Sequence, residues 1–504
     1  MAFKINDYTK SNELFKRATK VIPSGVYGHL GPAEGNFIPV SAWPFFSERA
    51  EGAYFWDVDG NKFIDYMCAY GPNILGYNDP DVDAAAFEQA KLGNCTTSPS
   101  YKMVELAELL VDTVNCADWA FFAKNGNDAT SCAVLTARNA THRKKIIFVN
   151  GFYHGVSAWT QKIDYPGVLP EDVANNLYVD WNDVAGLEKV VAENKGEIAA
   201  FISTPYLHGN YKDNELPADG YWQKVREICT REGIVLIVDD VRAGWRLDLA
   251  GSDHYYGFEA DLICFCKALA NGWNVSALCG KDWLKSSISG LSYTGSYWMS
   301  AVPFAAAIAC INKMKEIDLP KFCLEKGTML CDGLKAAAAN NGFNLSVSGE
   351  PALFYLMLKD DDSLMLHQEW IAEVVKRGVY MTNHHNHFIN CSLSDEDIAW
   401  VESTIASMTD EEKVGQLFWQ LTAGNSEEYL QELMEKYHLG GCRYNGMPGQ
   451  MVLNQNRILQ KYAKVPVFIA CNPEKGGDGV CADGTPVAAQ VKIGATRKTE
   501  YAQA

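Results

Sequence analysis

Two short apolar runs, each ending in charged residues, constrain the fold of this chain more than any other feature. Residues 234–238 (IVLIV) precede Asp239 and Asp240, and residues 262–266 (LICFC) precede Lys267. Apolar runs of this length are typical of strands that are buried on both faces of a mostly parallel sheet. Because open α/β sheets bind ligands at the carboxyl ends of their strands, we expect these carboxylates and this lysine at a ligand site.

Strand-like and helix-like segments alternate through the first four hundred residues. Further apolar runs occupy 145–149 and 198–202, and residues 220–232 carry apolar side chains at helical spacing. This alternation predicts an α/β fold with a large, doubly wound and mostly parallel sheet. Strand patterns near 353–358 and 379–381 predict a second, smaller α+β unit.

The charge of the chain changes near residue 407. Residues 408–504 contain 10 basic and 11 acidic residues, a net of −1, so the residues before them carry −17 of the total −18. This change indicates two segments of different origin. We divide the chain into an amino-terminal part of the small domain, the large domain, the small α+β domain and a tail, with bounds 1–50, 51–320, 321–407 and 408–504.

Composition excludes several classes of partner. The chain has 62 acidic and 44 basic residues, and this net negative charge argues against nucleic acid or an anionic membrane as its binding partner. No apolar run reaches the roughly 18 residues that a membrane span needs, and the first residues lack the apolar stretch of a secretion signal. The 15 cysteines are scattered without a CxxC pair, which favours free thiols and a cytoplasmic protein.

Lys267 and Asp239 together predict a cofactor. One aspartate at a strand end is more often a helix cap or part of a turn. A lysine that closes a buried strand is different, because burial lowers the pKa of its ammonium and suits it to Schiff-base chemistry. Pyridoxal phosphate (PLP) needs such a lysine for its aldehyde and a carboxylate for its pyridine nitrogen.

Three motifs near the amino terminus carry a family resemblance. They are YFWDVDGN at 54–61, IDY at 64–66 and GPNILGY at 71–77. With them, residues 7–407 resemble the class III (subgroup II) PLP-dependent aminotransferases, and glutamate-1-semialdehyde aminomutase most closely. The resemblance implies the fold type I PLP-dependent transferase architecture, in which a large PLP-binding domain and a small domain form each subunit.

The resemblance also assigns roles to individual residues. Lys267 is similar to the family's Schiff-base lysine, which also moves the proton between the substrate Cα and the cofactor C4′. Asp239 matches the acid that pairs with the pyridine nitrogen. Val241 is expected on one face of the ring and Tyr153 on the other, with His154 beside it in the motif GFYHG.

The resemblance also assigns the residues that bind the phosphate of the cofactor. Asn125, Gly126 and Asn127 open the segment NGNDAT, which resembles the family's phosphate loop at a helix start, a favourable place for an anion. Ser296 matches a hydroxyl residue that reaches the phosphate of the neighbouring subunit. The resemblance therefore implies a homodimer.

One departure from the family concerns the substrate. The aminomutase holds the substrate carboxylate with an arginine near the position of Gly31, but no arginine occurs between Arg17 and Arg49. Tyr27, His29 and Trp43 offer aromatic and neutral polar contacts there instead. We therefore expect an aminotransferase with a small-molecule amino donor and an aldehyde or ketone acceptor. These contacts would suit a hydroxylated, sugar-like carbonyl. The alternative is an aminomutase.

Two further groups of residues allow more than one interpretation. The run HHNH at 384–387 could suggest a metal, but no carboxylate or cysteine lies at ligand spacing, so we favour a loop or strand end and predict no metal. Arg242 and Arg246 could bind a substrate carboxylate or could be structural.

The tail carries a second resemblance, to the amino-terminal part of family 3 glycoside hydrolases. The matching stretches are MTDEEKVGQL at 408–417, KVPVFIA at 464–470 and EKGG at 474–477. A complete (β/α)₈ barrel needs about 250 residues, so the tail predicts only a partial βα-barrel fragment. No nucleophile and acid for retaining hydrolysis can be assigned in it. The alternative is a sugar-binding or bifunctional protein that uses this tail.

Overall fold

The computed structural model describes residues 6–23, 25–26, 43–44, 46–359, 361–406, 419–421, 426–437, 439, 441–443, 448–463 and 468–470. The chain separates into two compact units, Met1–Ile405 and Ala406–Ala504. No described helix combines the length and the apolar composition required to cross a membrane.

The first unit contains both strands and helices along its length. Its described strands are β1 Ser47–Glu51, β2 Tyr54–Asp57, β3 Lys62–Asp65, β4 Trp119–Ala123, β5 Lys145–Val149, β6 Asn176–Val179, β7 Ile198–Ser203, β8 Val235–Asp239, β9 Leu262–Phe265, β10 Ser276–Gly280, β11 Leu345–Glu350, β12 Leu353–Leu358, β13 Val379–Tyr380 and β14 His387–Phe388. Its described α-helices are α1 Thr9–Ala18, α2 Pro80–Leu92, α3 Lys102–Thr113, α4 Gly126–Thr141, α5 Pro170–Val173, α6 Val184–Glu193, α7 Tyr221–Glu232, α8 Ser252–Tyr255, α9 Lys285–Ser289, α10 Ala301–Glu316, α11 Leu319–Asn340, α12 Met365–Lys376 and α13 Asp395–Ala406.

A seven-stranded sheet forms the centre of this unit, in the order β4-β10-β9-β8-β7-β5-β6. Neighbouring strands are parallel except at β10, which runs antiparallel to both β4 and β9. Every residue of β7, β8 and β9 is buried, as expected for strands covered on both faces. The prediction of a large, mostly parallel sheet in an α/β fold is confirmed.

Two smaller sheets connect the carboxyl-terminal part of the unit to earlier strands. β13 pairs in parallel with β3, which places Val379 opposite Ile64. β14 pairs antiparallel with β12, which itself pairs with β11. The segment between β13 and β14 is thereby tied at both ends by strand pairing, which determines where its side chains lie.

The second unit consists of alternating strands and helices. Its described elements are β15 Trp419–Leu421, α14 Glu427–Glu435, β16 Gly441–Arg443, α15 Gly449–Tyr462 and β17 Phe468–Ala470. The three strands are parallel, and both helices contribute to a small core of Leu430, Leu433, Met434, Leu439 and Leu459. Successive parallel strands joined by helices are the repeating unit of a βα fold.

Candidate active site

A cavity of about 380 Å³ brings together most of the residues predicted to form the site. Its volume is within the ordinary range for a small-molecule site. The cavity is lined by Asn125, Gly126, Asn127, Thr130, Gly151, Phe152, Tyr153, His154, Gly155, Val156, Thr204, His208, Gly209, Asn210, Asp239, Val241, Arg242, Lys267, His384 and His385. It therefore contains eight of the nine predicted site residues, and Ser296 is the exception.

Lys267 follows β9 at the first position of a short 3-10 turn, Lys267–Ala270. Its backbone φ is +38°, a conformation that is uncommon for residues other than glycine and that is often found at functional sites. Burial lowers the pKa of Lys267 to about 7, and the charges of Arg242 and Arg246 contribute to this effect. About half of the Lys267 amines are therefore neutral and nucleophilic at neutral pH.

This lowered pKa predicts how the apoenzyme recombines with PLP. A lysine reacts with an aldehyde only as the neutral amine, whose fraction rises with pH and is half at the pKa. The recombination rate should therefore rise from about pH 6 and level off at about pH 8. With an ordinary lysine, whose pKa is about 10.4, the rate would keep rising to a much higher pH. Stopped-flow absorbance measures this rate, with unphosphorylated pyridoxal as the control for ionisation of the phosphate. A rate that still grew tenfold per pH unit above about pH 8 would contradict the prediction.

Asp239, the last residue of β8, is held by His154 from another loop. The Nδ1–H of His154 donates to Oδ2 of Asp239 at 2.7 Å, and the amide of Val241 donates to Oδ1 at 3.3 Å. His154 and Asp239 are only 3% and 4% exposed, so the bond forms in a largely dry environment. The next residue, Asp240, points elsewhere and accepts from Ser252 at 2.6 Å.

The start of α4 provides an anion-binding loop. Asn125 and Asp128 form a reciprocal capping box, in which each side chain accepts from the backbone of the other. No described group accepts from the amides of Gly126 and Asn127, so these two donors are available at the positive end of the helix. A Cβ on Gly126 would lie 2.9 Å from Val241, which explains the glycine.

The side-chain oxygen of Asn127 holds a neighbouring loop. Its Oδ1 accepts from the amides of Val156 and Ser157, both at 2.9 Å, and from the Ser157 hydroxyl at 3.0 Å. Asn127 therefore anchors the loop that follows Tyr153 and His154. Tyr153 lines the cavity and remains 57% exposed, so its ring is accessible to a ligand.

Ser296 is exposed and does not line the cavity. The thiol of Cys95 donates to its carbonyl oxygen at 3.5 Å. The resemblance directs this residue toward the neighbouring subunit, and that role stays a prediction. Trp43 is buried with its ring 6.0 Å from that of Tyr380, so it is not a cavity residue, while Tyr27, His29 and Gly31 lie outside the described residues.

Three histidines of the cavity were not predicted as site residues. His208 follows β7, and His384 and His385 lie between β13 and β14. Burial, and then the charges of Arg242 and Lys267, hold the pKa values of His208 and His385 well below their usual range, so both rings are neutral. The sequence shows the run of histidines, but only the strand pairing on either side brings it to Lys267. In the described residues no group of His, Cys, Asp or Glu is arranged to hold a metal.

The structure separates Arg242 from Arg246. Arg246 is 1% exposed and donates to the carbonyl oxygens of Gly71 and Arg242, and its guanidinium lies 4.9 Å from the centre of the Phe388 ring. These contacts make Arg246 a structural residue. Arg242 lines the cavity instead.

The residues present fit PLP. A lysine with a lowered pKa, a carboxylate held by a histidine and two available amides at a helix start face one cavity. Gly126 allows the helix start to pack closely against Val241, and both residues line the cavity. These are the contacts that the aldehyde, the pyridine nitrogen and the phosphate of PLP require.

Comparison with known proteins agrees with this arrangement. The class-III aminotransferase family model matches residues 38–406. An aminopentol aminotransferase of Sphingopyxis macrogoltabida is 38% identical over 390 residues, which are 77% of this chain and 91% of that protein. A 3-aminobutyryl-CoA aminotransferase of Cloacimonas acidaminovorans is 30% identical over 80% of this chain and 98% of its own length.

A solved structure is similar over the same region. It is the PLP internal aldimine form of the FumI protein of Sphingopyxis sp. MTA144, with a TM-score of 0.76, 38% identity, and coverage of 79% of this chain and 95% of that one. The chain therefore belongs to the class-III aminotransferase family and is a PLP-dependent enzyme that transfers an amino group to a carbonyl compound.

Proposed function

We propose that Lys267 and Asp239 carry the catalysis of this aminotransferase. The observation that supports this is that Lys267 and the histidine-held Asp239 line one cavity. When bound, PLP acts as an electron sink that allows a proton to leave the carbon bearing the nitrogen. Lys267 Nζ moves that proton between the substrate Cα and the cofactor C4′. Asp239 keeps the pyridine nitrogen protonated, and His154 orients its carboxylate.

The remaining residues of the cavity bind and orient the cofactor. The amides of Gly126 and Asn127 hold the phosphate at the start of α4. Val241 and Tyr153, which both line the cavity, would pack against the two faces of the pyridine ring. Asn125 acts through the helix cap and Asn127 through the loop at 155–157, as their hydrogen bonds support.

The substrate that we propose is an amine and carbonyl pair on a hydroxylated, sugar-like carbon chain. Polar side chains line the cavity, namely Thr204, His208, Asn210, His384 and His385, and the rings of His208 and His385 are neutral. Neutral imidazoles both donate and accept hydrogen bonds, so they match hydroxyl groups. A relative named for aminopentol, an amino alcohol by its name, supports the same class. An amine-exchange screen that follows the visible spectrum of the cofactor tests this substrate class. A preference for plain alkylamines over amino alcohols would contradict the proposal.

The alternative is an aminomutase of the glutamate-1-semialdehyde type, which the amino-terminal sequence motifs resemble. We expect glutamate-1-semialdehyde to be a poor substrate, because no arginine lies between Arg17 and Arg49 to hold its carboxylate. The rate at which the purified protein forms 5-aminolevulinate, compared with the rate of an authentic aminomutase, measures this activity. Formation at a comparable rate would favour the aminomutase and would indicate that another residue binds the carboxylate.

We also propose a cytoplasmic homodimer in which Ser296 reaches the phosphate of the partner subunit. The exposure of Ser296 and of Tyr297, which is 68% exposed, supports a contact outside the single chain. Twelve cysteines of the first unit, from Cys68 to Cys391, are free, in accord with a reducing compartment. Sedimentation of the holoenzyme tests the dimer.

For the tail we propose a non-catalytic fragment related to family 3 glycoside hydrolases. The parallel strands and alternating helices of the second unit support this. We expect the intact chain to release no product from aryl hexosaminides, because the tail lacks an assigned acid and nucleophile. We also expect cleavage near residue 407 to leave transamination intact. Measurable hydrolysis, or loss of transamination after cleavage, would favour the bifunctional alternative.

A further inference from the structure

His208 lines the cavity with both of its ring nitrogens available to a ligand. It lies in the loop between β7 and α7. Both ring nitrogens are buried, and among the described residues neither one has a hydrogen-bond partner. Two other histidines of the cavity differ in this respect. His154 donates from Nδ1 to Asp239, and the Nδ1–H of His385 donates to the carbonyl oxygen of Asn386 at 2.9 Å.

The loop that carries His208 is held in one conformation. Leu207 and Glu215 exchange two backbone hydrogen bonds, both at 3.0 Å, and these bonds close the loop at its two ends. The imidazole ring packs edge-to-face against the ring of Tyr206, with 4.5 Å between the ring centres and an angle of 64°. Tyr206 is fully buried. The imidazole is therefore oriented before a substrate enters the cavity.

A hydroxyl group is the ligand that suits this imidazole. Burial, and then the charges of Arg242 and Lys267, hold the pKa of His208 well below its usual range, so the ring carries no charge at neutral pH. A neutral imidazole offers one N–H donor and one acceptor nitrogen, and a hydroxyl can pair with either. An apolar carbon in the same place would leave both nitrogens buried without a partner, which weakens binding.

The position of His208 limits where on the substrate this hydroxyl lies. The charges of Lys267 and Arg242 act on the His208 ring, so the imidazole lies close to the lysine that reacts. In the proposed mechanism Lys267 reaches the carbon that bears the nitrogen. A group that contacts His208 therefore belongs close to that carbon, and a hydroxyl on the neighbouring carbon meets this requirement.

We propose that His208 is a specificity-determining residue that hydrogen-bonds a hydroxyl on the carbon next to the amine, so that vicinal amino alcohols are the preferred amines. This inference rests on the roles proposed for Lys267 and Asp239, and it narrows the hydroxylated substrate class. The amino alcohol loses its nitrogen and becomes a hydroxy ketone, while the acceptor carbonyl exchanges its oxygen for that nitrogen. The same electron pair oxidises one carbon and reduces the other, and the hydroxyl is unchanged.

The test compares three amines on the same carbon chain, each as a mixture of its stereoisomers. They are 3-amino-2-butanol, 2-aminobutane, which lacks the hydroxyl, and 3-amino-1-butanol, in which the hydroxyl lies one carbon further away. Single-turnover reactions of the holoenzyme are followed by the visible spectrum of the cofactor. We expect the wild type to prefer 3-amino-2-butanol over either of the others by at least roughly tenfold.

Substitutions of His208 test whether this residue is the cause of the preference. His208→Leu should lose most of it, because the efficiency with 3-amino-2-butanol falls while that with 2-aminobutane stays within about threefold of the wild type. His208→Gln, which retains a donor and an acceptor, should recover part of the preference. The control is His254→Leu, because His254 is an exposed histidine that pairs with Asp248 at 2.7 Å, and it should match the wild type.

The resting holoenzyme provides a readout that does not depend on turnover. His208→Leu should retain the visible absorption and the PLP dissociation constant of the wild type. Equal losses with all three amines, or a changed resting spectrum, would overturn the proposal and place His208 on the cofactor or the fold. An equal preference for 3-amino-1-butanol would overturn the vicinal position while leaving the roles of Lys267 and Asp239 intact. Turnover of 3-amino-2-butanol by Lys267→Ala would instead contradict the catalytic roles on which the inference rests.

Discussion

Replacing Lys267 with alanine should abolish both the visible absorption of the lysine-bound cofactor and transamination. The variant loses the amine that we propose binds the cofactor aldehyde and moves the proton at the substrate Cα. We expect turnover to fall by at least roughly 10³-fold, a loss of about 4 kcal/mol in transition-state stabilisation. Absorbance spectra and amine-exchange rates, measured on the same preparation, check both effects.

The design of this experiment separates chemistry from folding. Lys281, a partly buried lysine that pairs with Glu259, provides the matched control as Lys281→Ala. It should retain the spectrum and the rate of the wild type. Unchanged thermal unfolding of the Lys267→Ala apoprotein would show that the fold is intact. Full turnover by Lys267→Ala would show that the proposed mechanism is wrong.

Replacing Asp239 with alanine should leave the cofactor bound but weakly reactive. Without the carboxylate, the pyridine nitrogen loses its proton and the ring withdraws electrons less strongly. His154 also loses its buried acceptor, and breaking one side of such a pair costs on the order of 3–5 kcal/mol. We therefore expect a rate loss of roughly 10²- to 10³-fold together with lower stability. Rapid-mixing kinetics and thermal unfolding measure the two effects separately.

Asp240 provides a control from the adjacent position. It is equally buried, but its carboxylate accepts from the hydroxyl and the amide of Ser252, away from the cavity. Burial raises the pKa of Asp240 to about 7, so a neutral asparagine is a moderate change there. Asp240→Asn should therefore cost some stability and little rate. A near-normal rate in Asp239→Ala, or an equal rate loss in both variants, would remove the catalytic assignment of Asp239.

Local sequence was sufficient to place Asp239 and Lys267 at the ends of two buried strands. Each follows or ends a short apolar run, and such runs form buried strands wherever a parallel sheet is built. β8 and β9 therefore end where the sequence indicated, beside Asp239 and Lys267. The helix start after Asn125 was implied by the family resemblance, and its cap joins residues only three positions apart.

Other parts of the site depend on contacts between distant segments. His154 lies 85 residues from Asp239, and the motif around it does not reveal which of its neighbours it will bond. Read along the chain, the histidines at 384 and 385 look like a loop or a strand end, with a metal site as the less favoured interpretation. They reach the cavity because β13 pairs with β3 and β14 pairs with β12.

The roles of Arg242 and Arg246 also could not be predicted from the sequence, although the two residues lie close together in the chain. They lie four residues apart, and the sequence supports a structural or a substrate-binding role for either one. In the folded chain Arg246 is enclosed by the backbone of Gly71 and the ring of Phe388, while Arg242 faces the cavity. The sequence by itself determined the strand ends, the lysine, the carboxylate and the helix cap, because those features arise from local patterns. The tertiary structure alone decided which polar side chains surround them, because the direction of a side chain in an irregular turn depends on what packs against it.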